Sequence, residues 1–370
     1  ATAWMLMPMG MSLVLLYEEL NKDILAGGGR VDPRADNFSL TLLLGIAYGA
    51  SIGGFATLIG TPPNGILITQ MSQLFPEAPD ITFATWMLFA LPMSFVYMII
   101  AWLLLTRVVF PLPASTPFSG KEFINSEIKK LGTMSTEEKR VTGVFVSFAL
   151  LLMTRKERLF GPEVDLFGWS HFLDKILTSA GSAPVGYMID DGSVSIAVAL
   201  TLFMIPAAAK TGGRLMDWED AKRVPWGILL LFGGGLAIAK GFGTSGLSDY
   251  IAGQLAAILG DAEQLVIVMS TVAFITGLTE VASNTATITL AVPIMASLAQ
   301  AIDAHPLLLL IPTTLAASCA FMLPVATPPN VITFATGRFS IQTMVREGIV
   351  LNLVGVIVIS CACVLLLGQL

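Results

Sequence analysis

Charge is what this chain has least of. Lys, Arg, Asp and Glu together supply 12% of its 370 residues, about half the share found in a soluble domain. That scarcity places the chain in the membrane class before any motif is weighed. Histidine is rarer still. His171 and His305 stand far apart, with no metal-ligating spacing. The three cysteines, Cys319, Cys361 and Cys363, all fall in apolar runs, which argues against a disulfide framework or a zinc site. The net charge of -6 is small for this length and says little about partners. Nucleic acid is not expected among them. No signal-peptide pattern is visible, and the chain opens at Ala1 inside a hydrophobic run, so a longer protein is expected.

What the chain has is apolar surface. Residues of the AVILMFWYC set make up 55% of it, enough for about ten segments of spanning or half-spanning length at about 20 residues per span. Within this background the tetrapeptide Thr-Pro-Pro-Asn occurs twice, at Thr61–Asn64 and Thr327–Asn330. Each copy closes one apolar run and opens another. Paired prolines remove two backbone donors and bar the preceding residue from the α region. A membrane helix tolerates such a break where the freed groups line a cavity or are buried in protein. Matching breaks in two halves point to a secondary transporter built from repeats, with its site near the bilayer midplane.

Along the chain, Ala1–Tyr17 reads as a helix ending at Glu18-Glu19. Leu40–Ile59 follows, rich in small residues that let helices approach closely in lipid. Met87–Phe110 is long enough to span and is stopped by Pro111 and Pro113. Ser115–Arg140 is polar and reads either as a surface helix pair or as a plain loop. Val141–Met153 and Val194–Ala209 read as spans, joined by a polar connection carrying Trp169, and Arg214–Arg223 as an amphipathic piece. Gly227–Ala239 contains Gly233-Gly234-Gly235, a run that costs a helix interior about 1 kcal/mol per glycine. A re-entrant hairpin at about 225–245 accommodates it, and a kinked helix is the alternative. Leu265–Val281, Ala286–Ile302, Pro306–Leu323 and Met344–Leu367 complete the pattern.

The internal repeat extends past the tetrapeptide. Ala286-Thr287 followed by Pro293 matches Ala1-Thr2 followed by Pro8 at identical spacing. Ser283-Asn284-Thr285 stands directly before Ala286, so a second Ser-Asn-Thr, itself preceded by a hairpin, is expected immediately upstream of Ala1. Hydroxyl and amide oxygens, joined by unwound carbonyls, are hard donors suited to an alkali cation. Ser and Asn are also strong N-caps, and the helix that follows aims its positive end at an anion. A cation and a carboxylate can then sit side by side without a formal protein charge. The Ala326 carbonyl, ahead of two prolines, is free for a cation, and Thr327 offers a hydroxyl. Gly60 and Thr61 hold the equivalent places in the first half. Glu280, the acid in the run before Ser283, is a functional candidate by its depth, though a structural carboxylate facing a neighbouring helix end is the preferred reading. Arg338 and Arg346 are read as interface anchors.

The runs Gly53–Asn64, Thr279–Ala286 and Pro324–Asn330, together with Trp226–Gly235, resemble the divalent anion:sodium symporter family over the whole chain. The resemblance implies an all-α polytopic membrane protein with two inverted repeats, broken helices and re-entrant hairpins, working as a homodimer by an elevator motion. Residues 1–112 would be the remainder of the first repeat, 113–140 a polar interfacial connector, and 141–370 the second repeat. Ser283, Asn284, Thr285, Thr61, Thr327 and Pro328 would face the substrate. Thr279, Ala282, Asn284, Ala326 and Gly60 would bind sodium, the coupling ion. The implied function is sodium-coupled symport of succinate, malate or fumarate across the bilayer, the cytoplasmic membrane in a bacterium. A sodium-independent exchanger, citrate or sulfate as cargo, and an anion channel are the alternatives. An enzyme is not expected, because no Ser–His pair, metal cluster or paired aspartates stand in the apolar runs.

Overall fold

The computed structural model describes residues 2–78, 81–113, 125, 128–129, 132–155, 168–179, 189–207, 213–224, 226–260 and 262–367. Among them the secondary structure is helical, apart from one isolated bridge between Pro206 and Arg214. Two compact units emerge, one of residues 1–80, 89–119 and 231–370, the other of 81–88 and 120–230.

The helices are α1 Thr2–Ala26, α2 Ala35–Gly54, α3 Pro62–Leu74, α4 Phe83–Leu103 with a π turn Leu104–Val109, α5 Thr136–Met153, α6 Trp169–Ser179, α7 Asp191–Met204 and α8 Trp218–Lys222. After them come α9 Gly227–Thr244, α10 Leu247–Leu259, α11 Gln264–Val281, α12 Asn284–Ala301, α13 Leu307–Ala317, a 3-10 turn Pro324–Ala326, α14 Pro328–Phe334 and α15 Ile341–Leu367. Among the described residues, four stretches are long and apolar enough to cross a membrane: Ala35–Gly54, Phe83–Val109, Gln264–Val281 and Ile341–Leu367. Three shorter apolar helices accompany them, α7, α10 and α13.

In the first unit α13 forms the centre. Every residue from Leu308 to Ala317 is buried, because α11, α12, α15 and α3 all pack on this one helix. α2 packs on α1 and α14. The close approach to α1 rests on Gly10 of that helix, where a Cβ would lie 2.5 Å from Ile46 Cδ1, whereas a Cβ on Gly45 or Gly53 of α2 would meet nothing within 4 Å. In the second unit α5 packs on α7. Arg155 bridges Asp191 at 2.7 Å and donates to the Ile189 carbonyl at 2.7 Å, while Trp169 Nε1 donates to the Leu151 carbonyl at 2.8 Å.

Three expectations need correction. The first helix does not end at Glu18-Glu19. It runs on to Ala26, where Gly28 at φ 79° turns the chain. Glu18 is held inside the helix by an ion pair with Arg338, so that arginine is a link between elements rather than an interface anchor. The three glycines 233–235 do not turn the chain either. They lie within the continuous helix α9, and the turn comes at Gly246, whose φ of 75° is the left-handed conformation that favours glycine. Gly235 is explained by contact, since a Cβ there would lie 2.7 Å from Thr289 Cγ2. The apolar run Pro306–Leu323, read as leading to the second Thr-Pro-Pro-Asn, is helical from Leu307 to Ala317. The segment read as a surface helix pair or a loop, Ser115–Arg140, falls mostly outside the described residues. Its final part, Thr136–Arg140, begins α5 behind a capping box at Ser135.

Candidate functional site

Two kinds of helix break organise the first unit. At the first, α11 ends at Val281, Ala282 is extended at φ −117°, ψ 160°, and α12 starts at Asn284 behind Ser283. Helix formation therefore begins within Ser-Asn-Thr and not after it. Ser283 makes no side-chain cap, so the first-turn N–H groups of α12 lack the acceptor an N-cap serine usually supplies. With 18 residues behind it, that end carries a substantial partial positive charge. The Ala282 carbonyl accepts no hydrogen bond among the described residues.

The second kind of break occurs twice with one geometry. Thr61 precedes α3 at φ −145°, ψ 143°, and Thr327 precedes α14 at φ −139°, ψ 149°. In both, two prolines open the helix, where their missing N–H groups cost nothing. The consequence falls on the residue before the threonine. The Gly60 carbonyl meets Pro63 at its third following position and the Ala326 carbonyl meets Pro329, and neither proline can donate. The next N–H is diverted in each case, from Asn64 to the Thr61 carbonyl at 3.2 Å and from Asn330 to Thr327 Oγ1 at 3.4 Å. Both carbonyls are left free by sequence, not by accident of packing. Gly60 also has to be glycine, because a Cβ there would stand 2.1 Å from the Gly54 carbonyl oxygen.

Thr279 ties the first break to the end of α13. Its Oγ1 lies 2.6 Å from Asn284 Oδ1 and 2.8 Å from the Ala317 carbonyl oxygen. One hydroxyl proton cannot fill both contacts, so this buried knot has more acceptors than donors. A cation among these oxygens would resolve the excess.

Glu280 holds the other wall. Its Oε1 accepts from the N–H groups of Phe321 at 2.7 Å and Met322 at 2.9 Å, and from Asn352 Nδ2 at 2.7 Å. Its Oε2 accepts from Met322 at 3.1 Å and Leu323 at 3.2 Å. A buried carboxylate is costly unless its lone pairs are satisfied, and here they are. Glu280 is the structural carboxylate expected, and it pins the unwound segment between α13 and the 3-10 turn. Phe321 is also wedged between Tyr48 and Tyr97, at 5.3 and 6.2 Å between ring centroids. The approach of α15 is close enough that a Cβ on Gly348 would lie 2.5 Å from the backbone of Phe321 and Met322.

The sequence-predicted residues divide accordingly. Thr279, Ala282, Ser283, Asn284 and Thr285 come together at one break. Ala326, Thr327 and Pro328 sit at the second, tied to α11 through the segment Glu280 holds. Gly60 and Thr61 occupy the matching break before α3, and no hydrogen bond among the described residues joins them to 279–285. Ser283 and Pro328 are exposed, whereas Thr279, Thr285 and Thr327 are buried. Sequence reasoning missed the last residue of the tetrapeptide. Asn64 Nδ2 donates to the Thr57 carbonyl at 2.8 Å, and Asn330 Nδ2 to those of Leu323 and Ala320, each at 3.0 Å. Both asparagines are fully buried. The repetition of Asn in both copies was the available signal.

Residues 28–368 match the family described as the sodium:sulfate symporter transmembrane region. The chain is 39% identical over 361 residues to the sodium-dependent dicarboxylate transporter SdcS of Staphylococcus saprophyticus, covering 97% of this chain and 64% of that protein. It is 38% identical over 360 residues to SdcS of Staphylococcus aureus strain NCTC 8325, with the same coverage of 97% and 64%. The chain thus spans just under two thirds of the length of the curated relatives it matches.

Proposed function

Because the chain belongs to the sodium:sulfate symporter transmembrane family, we propose that the full-length protein is a sodium-coupled symporter of C4-dicarboxylates, the succinate, malate and fumarate class. The observation that carries the reading is the pairing of a cation-ready oxygen knot with an uncapped helix end. Thr279 Oγ1, Asn284 Oδ1 and the Ala317 carbonyl crowd together with one proton among them. The free Ala282 carbonyl lies beside them in sequence, and the free Ala326 carbonyl belongs to the neighbouring break. The N-terminus of α12 adjoins the same knot. Oxygens without formal charge suit Na⁺, and a helix N-terminus suits a carboxylate.

The coupling follows from electrostatics. Sodium at Thr279, Ala282, Asn284 and Ala326 places a positive charge beside Ser283–Thr285. A dianion then binds more tightly when the cation is present, and the cation when the dianion is present, by the same factor. Thr327, Pro328 and Thr61 would complete the substrate contacts, and the Gly60 carbonyl would serve a second sodium. The reading carries with it two inverted repeats, residues 1–112 and 141–370 joined by 113–140, and a homodimer in the bilayer whose broken helices move as one body. That both curated relatives are sodium-dependent dicarboxylate transporters supports it.

The test is uptake of radiolabelled succinate into proteoliposomes holding the full-length protein, otherwise empty, with and without an inward Na⁺ gradient. Uptake that requires Na⁺ and saturates with succinate supports symport. Uptake indifferent to Na⁺ but dependent on internal succinate would replace it with exchange. Uptake linear in concentration would replace it with a channel.

A further inference from the structure

Pro293 stands inside α12. It has no N–H, so the carbonyl of Thr289, one turn earlier, is left without a donor in its own helix. Gln70 of α3 supplies one. Its Nε2 donates to that carbonyl at 3.0 Å, with both residues buried, at 2% and 3% exposure. An amide that faces a carbonyl presents its nitrogen, and Gln70 Oε1 has no partner among the described residues, so this contact alone orients the side chain. Thr289 is held on other sides as well. Its Oγ1 donates to the Thr285 carbonyl at 2.7 Å, and its methyl group fills the space over Gly235 of α9, where a Cβ would lie 2.7 Å away. The internal repeat does not duplicate the link. Pro8 of α1 matches Pro293, but Thr336, which follows Thr327 at the interval by which Gln70 follows Thr61, turns its Oγ1 back to the Thr333 carbonyl at 2.7 Å.

A buried amide with an unsatisfied oxygen is costly beside an apolar side chain of similar size, so packing alone does not call for glutamine at this position. Direction does. The C-terminal ends of α3 and α12, with Leu74 and Gln300, line one cavity, so the helices run side by side in the same sense and start together. Along the axes the bond lies about 12 Å from Pro62 and about 8 Å from Asn284, at 1.5 Å per residue. We propose that Gln70 is a positioning residue, one that sets the start of α3, with the Gly60 carbonyl and Thr61, level against Ser283–Thr285. The proposal rests on reading these breaks as the sodium and dicarboxylate site. Without the bond α3 slides along α12, and a ligand that touches both helix starts loses its hold on one. The knot of Thr279, Asn284 and the Ala317 carbonyl belongs to α11, α12 and α13, and keeps its geometry.

The experiment separates satisfying a carbonyl from holding helices in register. In the full-length protein, Gln70→Leu keeps the bulk and removes the donor. Adding Pro293→Ala gives α12 an N–H that can reach the Thr289 carbonyl, but it does not restore the link to α3. Wild type, both single variants and the double variant are compared by melting temperature, by Na⁺-driven succinate uptake in proteoliposomes, and by amide exchange across Thr57–Asn64 without substrate. Gln70→Leu should lower the melting temperature by a few degrees. It should also raise the succinate concentration for half-maximal uptake about tenfold, with the maximal rate kept. The double variant should recover the melting temperature yet keep the weakened affinity and exchange faster than wild type at 57–64. Pro293→Ala alone should match wild type in uptake. Wild-type affinity in Gln70→Leu overturns the proposal. So does affinity that returns together with the melting temperature, or a loss equally large in Pro293→Ala alone. Should the wild type show no Na⁺-driven uptake, the proposed function falls, and exchange at 57–64 in the double variant decides on Gln70: faster than wild type upholds the link, equal to wild type overturns it.

Discussion

The side-chain amide of Asn330 donates to the carbonyl of Leu323 at 3.0 Å, seven positions back along the chain. Asn64 reaches Thr57 over the same interval at 2.8 Å. In each half the last residue of Thr-Pro-Pro-Asn therefore clamps the unwound segment that exposes the Gly60 or Ala326 carbonyl. Replacing Asn330 by Ala leaves the Leu323 and Ala320 carbonyls without this donor, at a cost of about 2 kcal/mol. Thermal unfolding of the full-length variant should show it, together with a weaker dependence of uptake on Na⁺. Unchanged stability and unchanged Na⁺ dependence would remove the clamp from the account.

Glu280→Gln tests the brace on the other side. The substituted amide presents a donor to N–H groups that already donate, so at least one contact to Phe321, Met322 or Leu323 fails. A loss of about 3 kcal/mol is expected, in line with hydrogen bonds to a charged group. The effect should appear in stability and in amide exchange across residues 318–323. A variant with native stability but altered pH dependence of transport would instead make Glu280 a proton carrier.

Gly348→Ala places a methyl group 2.5 Å from the backbone of Phe321 and Met322. Overpacking of this sort costs about 1–3 kcal/mol. Here it should also shift the segment that positions Ala326, raising the Na⁺ concentration needed for half-maximal uptake. A stable variant with wild-type Na⁺ dependence would show that α15 does not set the geometry of the break.

Outside the spanning helices, Asp190 caps α7, and the backbone N–H of Ser193 holds its carboxyl below the usual 3.8. A value lowered on folding means a contribution fully present above the unfolded value and lost as pH falls through the folded one. Asp190→Ala should therefore cost about 1 kcal/mol at neutral pH, and the difference from wild type should shrink below about pH 4. Denaturation compared at pH 7 and pH 3 checks it. A gap that widens in acid would contradict the assignment.

The breaks were legible because prolines and missing donors act locally. Thr61-Pro62-Pro63 and Thr327-Pro328-Pro329 dictate free carbonyls whatever surrounds them, and Ser283-Asn284-Thr285 announces a helix start. Elements decided by distant partners were less legible. Glu18-Glu19 read as a helix end because two acids close the apolar run, yet Arg338, far along the chain, pairs with Glu18. Gly233–Gly235 read as a turn from propensity, but Thr289 of another helix needs the space above Gly235.

The central claim is that Na⁺ is held at Thr279, Ala282, Asn284 and Ala326. The most direct measurement is equilibrium binding of ²²Na⁺ to purified full-length protein, wild type against Thr279→Val, which keeps the shape and removes the hydroxyl oxygen. The account predicts saturable binding in the wild type, at least tenfold weaker in Thr279→Val and strengthened in the wild type by succinate. Binding undiminished by Thr279→Val and indifferent to succinate would contradict it.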